Sequence, residues 1–132
     1  MKKIFVHIGL PKTGTTTLQK NFFPNIDTFD YCGVHQPRVQ QKKNNNPVYN
    51  NIMQYVNSGA GSLKRILNVI NNNANEQILI SEEMLTVSEN WLQKLKRLFE
   101  VVSHYDYSII VTVRDPLKAT FSYYIETYER FF

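Results

Sequence analysis

Residues 3–16 read KIFVHIGLPKTGTT, and this stretch decides the fold class that we expect. Its first six residues form a short apolar run rich in β-branched and aromatic side chains, which is typical of a strand buried on both faces. Gly9 closes the run, and Gly14 precedes a series of threonines that suits the start of a helix. The stretch therefore predicts a strand, a loop and a helix in that order, with Pro24 ending the helix.

The same alternation continues along the chain. Two further apolar runs predict strands at 77–81 and 107–113, and helical spacing predicts helices at about 48–57, at about 61–73, from Ser88 to about 102 and from Leu117 to about 130. Strands separated by helices indicate a parallel sheet with right-handed crossovers. We expect a single domain over residues 1–132 with a three-layer α/β/α architecture.

The composition excludes some classes of protein. A single cysteine, Cys32, cannot form an internal disulfide, and no Cys/His cluster has the spacing of a zinc site, so we expect a cytoplasmic protein in which Cys32 is a half-buried apolar side chain. No stretch approaches the roughly 18 apolar residues of a membrane span. The net charge of +4 favours anionic ligands without identifying them.

The loop GLPKTGTT, at residues 9–16, is the strongest candidate for a binding site. A Walker A loop has its lysine directly after the second glycine, whereas here that position is Thr15 and the lysine is Lys12. A glycine-bounded loop that runs into a helix N-terminus still directs backbone N–H groups at an anion, so we expect it to bind phosphate. The alternative is a plain turn in which a threonine caps the helix.

A strand followed by PKTGTT resembles the 5′-phosphosulfate loop of the sulfotransferases that use 3′-phosphoadenosine 5′-phosphosulfate. The resemblance implies that the fold is a P-loop NTPase-like sulfotransferase core. The resemblance implies that Lys12 contacts the bridging oxygen of the donor and stabilises the charge that develops on the leaving phosphate. It also implies that the following residues bind the same group through backbone and hydroxyl donors: Thr13, Gly14, Thr15 and Thr16.

A second segment carries the same resemblance. The strand at 107–113 ends in Arg114-Asp-Pro, and Ser122 follows eight residues after the arginine, similar to the 3′-phosphate motif of that family. Arginine offers a planar fork to a phosphate, and a serine on the next helix could return to the same anion. The resemblance implies that Arg114 and Ser122 bind the 3′-phosphate. We expect Tyr123 and Tyr124 to pack against the sheet, and the alternative is that they stack on adenine.

The segment SEEM at 81–84 is a candidate for the catalytic base. Members of the family use a Glu or a His, and Glu82 and Glu83 follow the second buried strand. Neighbouring side chains of an extended segment point to opposite sides, so only one of them can face the donor, and we expect Glu83 before Glu82. The alternative is that both cap the turn.

The three histidines are weaker candidates for this role. We expect His7 to be a hydrogen-bonded core residue, His104 to interact with the end of a helix, and His35 to be at most a residue on the acceptor side.

The resemblance implies an enzyme that transfers a sulfuryl group from 3′-phosphoadenosine 5′-phosphosulfate to a hydroxyl or amine, with a carbohydrate as the expected acceptor and adenosine 3′,5′-bisphosphate as product. It implies no nucleic-acid partner. No metal is expected, because Lys12 and the helix N-terminus neutralise charge and no Walker-B-type Asp follows the strands. Two alternatives stay open: a non-catalytic remnant that binds adenosine 3′,5′-bisphosphate, and a P-loop kinase.

Sulfotransferase domains are usually longer than this chain, so we expect it to lack the C-terminal part of the full domain. Phe131 and Phe132 end an amphipathic helix, which predicts an apolar face that packs on the rest of a domain or on a second copy in a homodimer. The polar stretch 36–47 predicts an exposed loop in which Lys42 and Lys43 are solvated or contact an acidic acceptor.

Overall fold

The protein is described by a computed structural model for residues 1–10, 12–36 and 46–131, with side chains up to Tyr128. Within these residues four strands form one parallel sheet in the spatial order β2-β3-β1-β4: β1 (Lys3–Gly9), β2 (Asp30–Tyr31), β3 (Gln77–Ser81) and β4 (Asp106–Thr112). The α/β class and the parallel sheet are confirmed. The sequence did not predict β2, because two residues are too few to show a pattern.

The described residues form five α-helices: α1 (Thr15–Thr17), α2 (Pro47–Ser58), α3 (Leu63–Asn71), α4 (Trp91–Val102) and α5 (Pro116–Phe131). Helix α1 continues as a π-helical turn, Leu18–Phe22, and a 3-10 turn, Phe23–Asn25. This helical segment ends at Asn25, one residue after the Pro24 that was predicted to stop it, and Pro24 lies at the start of the last turn, where its missing N–H costs little. Helix α4 begins three residues later than predicted, at Trp91.

One face of the sheet forms the main core. Ile4, Val6 and Ile8 alternate along β1 towards this face and are at most 9% exposed. Their neighbours in the core come from β3 and from α2, α3 and α4, and include Ile52, Ile66, Ile70, Ile78, Ile80, Leu98 and Val102. Burying one such side chain contributes roughly 1.5–3 kcal/mol.

The other face of β1 packs against the segment that follows the loop. The ring of His7 meets the ring of Phe23 edge-on at 5.0 Å, and Phe5 lies 6.2 Å from Phe29. Helical segments therefore contact both faces of the sheet, which is consistent with the three-layer architecture that we expected.

Cys32 is fully buried next to Asp30, and burial with the nearby carboxylate raises the pKa of its thiol to about 12. The expectation of half burial is therefore wrong.

Two predictions of apolar packing are also wrong. In α4, Leu98 and Val102 are buried, but Trp91, Leu92 and Phe99 are about half exposed, because the predicted stripe is wider than the surface that the core offers.

Tyr123 and Tyr124 of α5 are 55% and 57% exposed instead of packing against the sheet. Helix α5 follows β4, which is an edge strand, so the sheet has no further strand beside β4 for these rings to pack against.

The edge formed by β4 and α5 exposes further apolar side chains: Ile109, Val111, Leu117, Phe121 and Ile125. An apolar face is thus present on α5, although the side chains of residues 131 and 132 are outside the description. The partner of this face stays a prediction. In the part of the chain that is described, no helix combines the length and the apolar character needed to cross a membrane.

Candidate anion-binding site

A cavity of about 540 Å³ opens at the carboxyl ends of the strands. Its lining residues come from the loop after β1, the turn after β3, the residue two positions after β4, and α5: Lys12, Thr13, Gly14, Thr15, Thr16, Glu83, Met84, Val87, Arg114, Tyr123 and Glu126. Ligands of parallel α/β sheets bind at this edge. All five predicted loop residues, Glu83 and Arg114 therefore share one cavity.

The loop after β1 has an unusual backbone. Lys12 has a φ of 63° and Gly14 a φ of 82°. Glycine adopts this left-handed conformation freely, but for other residues it costs roughly 1–2 kcal/mol. Within residues 1–10, 12–36 and 46–131, Lys12 is the only non-glycine residue with positive φ. Strain at a polar loop residue is typical of functional sites.

Gly9 allows the loop to return closely to β1. A Cβ atom at this position would lie 1.9 Å from the hydroxyl oxygen of Thr15, which is itself buried. Gly14, at the N-cap of α1, provides no side-chain cap, and a Cβ atom there would meet nothing within 4 Å. The helix therefore begins against the strand, and the loop around Gly14 faces open space that an anion can enter.

The two predicted phosphate-binding segments contact each other. Nη1 of Arg114 donates a hydrogen bond of 3.3 Å to the carbonyl oxygen of Lys12. The Nζ atom of Lys12 forms an ion pair of 2.5 Å with Glu126 of α5. Lys12 and Arg114 therefore line the same cavity and are adjacent in the fold.

The two glutamates after β3 differ in their surroundings. Glu82 is 5% exposed and accepts hydrogen bonds from the hydroxyl of Tyr49 at 2.5 Å and from the backbone N–H of Met84 at 2.9 Å. Glu83 lies on a short 3-10 turn, Glu83–Leu85, and lines the cavity. Glu82 thus caps the turn, and of the two only Glu83 faces the space next to Lys12.

Ser122 lies on α5 but does not line the cavity, and α5 contributes Tyr123 and Glu126 instead. Helix α5 is helical from Pro116 onwards, so the irregular first turn that would bring a serine back to the arginine is not formed. Binding of a 3′-phosphate by Ser122 stays a prediction.

The histidines lie outside the cavity. His7 is fully buried and both ring nitrogens have hydrogen-bond partners, which confirms the predicted core histidine, and burial lowers the pKa of its ring. His35 is exposed and its ring contacts Tyr31, and His104 is exposed beyond the end of α4. Among the residues described, no three His, Cys, Asp or Glu side chains form a group that could hold a metal ion.

Sequence reasoning missed Glu126 as a cavity residue, and it considered Tyr123 near the ligand only as the less favoured alternative. Glu126 lies four residues after Ser122, on the same side of a helix, so helical spacing could have drawn attention to it. It also missed Thr112, the last residue of β4, whose hydroxyl lies 3.1 Å from that of Thr13. No local pattern marks Thr112, because its contact spans 99 residues of sequence. Residues 37–45, with Lys42 and Lys43, lie outside the described residues.

Comparisons of the chain with models of protein families, with curated proteins and with solved structures gave no match.

Proposed function

We propose that the cavity binds 3′-phosphoadenosine 5′-phosphosulfate and that the protein transfers its sulfuryl group to a hydroxyl or amine acceptor. In this proposal the loop residues from Lys12 to Thr16 bind the 5′-phosphosulfate, and Arg114 binds the 3′-phosphate. The proposed site needs no metal. A carbohydrate acceptor and a cytoplasmic location belong to the same proposal, which depends on the likeness of PKTGTT and of the RDP turn to sulfotransferase motifs.

The observation that supports it most is the contact between Arg114 and the carbonyl oxygen of Lys12, at 3.3 Å. A nucleotide with phosphate groups on both its 5′ and 3′ positions needs two cationic sites within the length of one ribose. Two segments more than 100 residues apart in sequence meet at one cavity that has room for such a ligand. A nucleotide without a 3′-phosphate would leave Arg114 without an anionic partner.

The residues suit the chemistry of sulfuryl transfer. The donor supplies an S–O bond that breaks as the acceptor oxygen or nitrogen bonds to sulfur, and the electron pair of that bond goes to the 5′-phosphate. Lys12 and the open N–H groups of the loop can stabilise this developing charge. Glu83, on the same cavity, can accept the proton that the acceptor loses.

A non-catalytic binding protein is the second candidate, and one observation favours it. The Nζ atom of Lys12 is paired with Glu126 at 2.5 Å, so the cation that would assist transfer already has a partner. A chain that only binds adenosine 3′,5′-bisphosphate through Arg114 and the loop would tolerate this pair.

Titration calorimetry with the whole chain tests the proposal. We expect adenosine 3′,5′-bisphosphate to bind without magnesium and ATP to bind at least about tenfold more weakly, a difference of about 1.4 kcal/mol for the contacts of the missing 3′-phosphate. Adenosine 5′-monophosphate is the matched control ligand, because it lacks only that phosphate. Stronger binding of Mg-ATP would replace the proposal with a kinase.

Transfer then distinguishes the enzyme from the binding protein. Donor labelled in the sulfate group is incubated with a panel of carbohydrates, phenols and amines, and labelled product is measured. Label in an acceptor supports the enzyme. Binding without transfer to any of these acceptors supports the second candidate.

A further inference from the structure

A continuous series of hydrogen bonds runs through the interior behind the loop. It begins where Gln36 donates to the side-chain oxygen of Gln19 at 2.8 Å, and Gln19 donates to the hydroxyl of Ser81 at 3.0 Å. Ser81 lies 2.8 Å from Nδ1 of His7. Gln19, Ser81 and His7 are all fully buried. Polar groups buried at this depth are costly unless each is satisfied, so their arrangement is constrained.

The series continues into the loop. Nε2 of His7 lies 3.2 Å from the hydroxyl of Thr112, and that hydroxyl lies 3.1 Å from the hydroxyl of Thr13. The hydroxyl of Thr13 donates to the carbonyl oxygen of Leu10 at 2.6 Å and is 3.3 Å from the hydroxyl of Thr15. The buried series therefore ends on a residue that lines the cavity, next to the strained backbone of Lys12.

Counting protons fixes the direction of these bonds. The single proton of Thr13 goes to the carbonyl of Leu10, which can only accept, so the bond between the two hydroxyls requires Thr112 to donate. Thr112 has then used its proton and must accept from His7, which places the ring proton on Nε2. Nδ1 is left as an acceptor for the hydroxyl of Ser81. The neutral Nε2–H tautomer uses every donor and acceptor in the series, whereas an imidazolium would donate from Nδ1 to Ser81 and leave the hydroxyl proton of Ser81 without an acceptor in it.

We propose that His7 is a positioning residue for the anion-binding loop: its neutral Nε2–H form orients the hydroxyl of Thr112, which holds the hydroxyl of Thr13 in place. His7 does not touch the cavity and acts through two hydroxyl groups. Its effect on catalysis, though not its effect on the loop, rests on the proposed function. Through Gln19, the same series connects the loop to Gln36.

Two substitutions of Thr112 form a matched pair of variants that differ in the hydroxyl group. Thr112→Val removes the hydroxyl and keeps the shape and strand propensity, whereas Thr112→Ser keeps the hydroxyl. Thr112 lies on an edge strand and is only partly buried, so both variants are expected to fold. His7→Phe removes both ring nitrogens, and the double variant His7→Phe/Thr112→Val tests whether the two residues act through one path.

We expect Thr112→Val to lower kcat at saturating donor about tenfold and Thr112→Ser to restore it, because one hydrogen bond that orients the loop is lost and regained. His7→Phe should lower kcat to a similar degree, and the double variant should lose no more than the worse single variant. A general loss of packing would instead make the losses multiply. Equal rates for the valine and serine variants, or multiplying losses, would overturn the proposal.

The tautomer of His7 is measured independently of any activity. Nitrogen-15 NMR of the whole chain at neutral pH should show a protonated Nε2 and an unprotonated Nδ1, and in Thr112→Val the backbone amide signal of Thr13 should shift. A proton on Nδ1, or an unchanged Thr13 signal, contradicts the positioning even if transfer occurs. If the wild type neither binds nucleotide nor transfers sulfate, the proposed function fails, while these two spectra still decide whether His7 positions the loop.

Discussion

The side-chain nitrogen of Lys12 lies 2.5 Å from a carboxylate oxygen of Glu126, in the cavity where an anion would bind. Their side chains are 31% and 45% exposed, so water screens the pair only in part. An anionic ligand beside Lys12 would also lie beside this carboxylate. Glu126 therefore opposes the binding of any doubly phosphorylated nucleotide.

We expect Glu126→Gln to tighten the binding of adenosine 3′,5′-bisphosphate by up to about fivefold, the size of an exposed charge interaction. Titration calorimetry measures the change, and Glu89→Gln is the control, since Glu89 is exposed and does not line the cavity. The gain should shrink in high salt. Weaker binding by the glutamine variant would mean that Glu126 contributes to the ligand site.

Lys12 and Arg114 should have separable effects. Lys12→Ala is expected to abolish measurable transfer, because the charge on the leaving phosphate is then unopposed, while Arg114→Ala mainly raises the Kd for the donor. Single-turnover rates and calorimetry separate the two effects. Lys20→Ala is the control, because Lys20 is an exposed lysine on the helical segment that follows the loop. Normal transfer in both cavity variants would remove these assignments.

Glu83 should contribute to catalysis, whereas Glu82 should contribute to the stability of the fold. Glu83→Gln is expected to lower transfer roughly 10²- to 10⁴-fold without changing the free energy of unfolding, since Glu83 faces the cavity. Glu82→Gln is expected to cost about 1–3 kcal/mol of that free energy, because the buried carboxylate accepts from Tyr49 and from Met84. Urea denaturation and transfer assays on both variants measure this. The opposite result would make Glu82 the base.

His7 should make stability depend on pH. Burial lowers the pKa of its ring below the ordinary 6.5, so the unfolded chain takes up a proton at a pH where the folded chain does not. The free energy of unfolding therefore does not depend on the protonation of His7 well above pH 6.5. It decreases as the pH falls through that value, by at most about 1.4 kcal/mol per pH unit. Urea denaturation of wild type and His7→Gln between about pH 8 and pH 5 should show a smaller dependence in the variant.

The sequence predicted the parts of the site whose residues are adjacent in the chain better than the parts that depend on contacts between distant residues. The loop residues 12–16 could be placed at the end of β1 because the glycines, the lysine and the threonines are adjacent. The alternation of an extended chain predicted that only one of Glu82 and Glu83 could face the cavity, but it did not specify which one. The place of Ser122 could not be derived, because it depends on how α5 leaves the edge strand, and neither short motif specifies that geometry.

The sequence by itself determined the order of β1, β3, β4 and the helices between them and which segments end at the carboxyl edge of the sheet, because hydrophobic period and glycine conformation act over a few residues. Only the tertiary structure decided that Arg114 meets Lys12, that Glu126 pairs with that lysine, and that a buried histidine is hydrogen-bonded to the loop through Thr112. These contacts join residues about 100 positions apart, and they form only when parallel pairing places β4 beside β1.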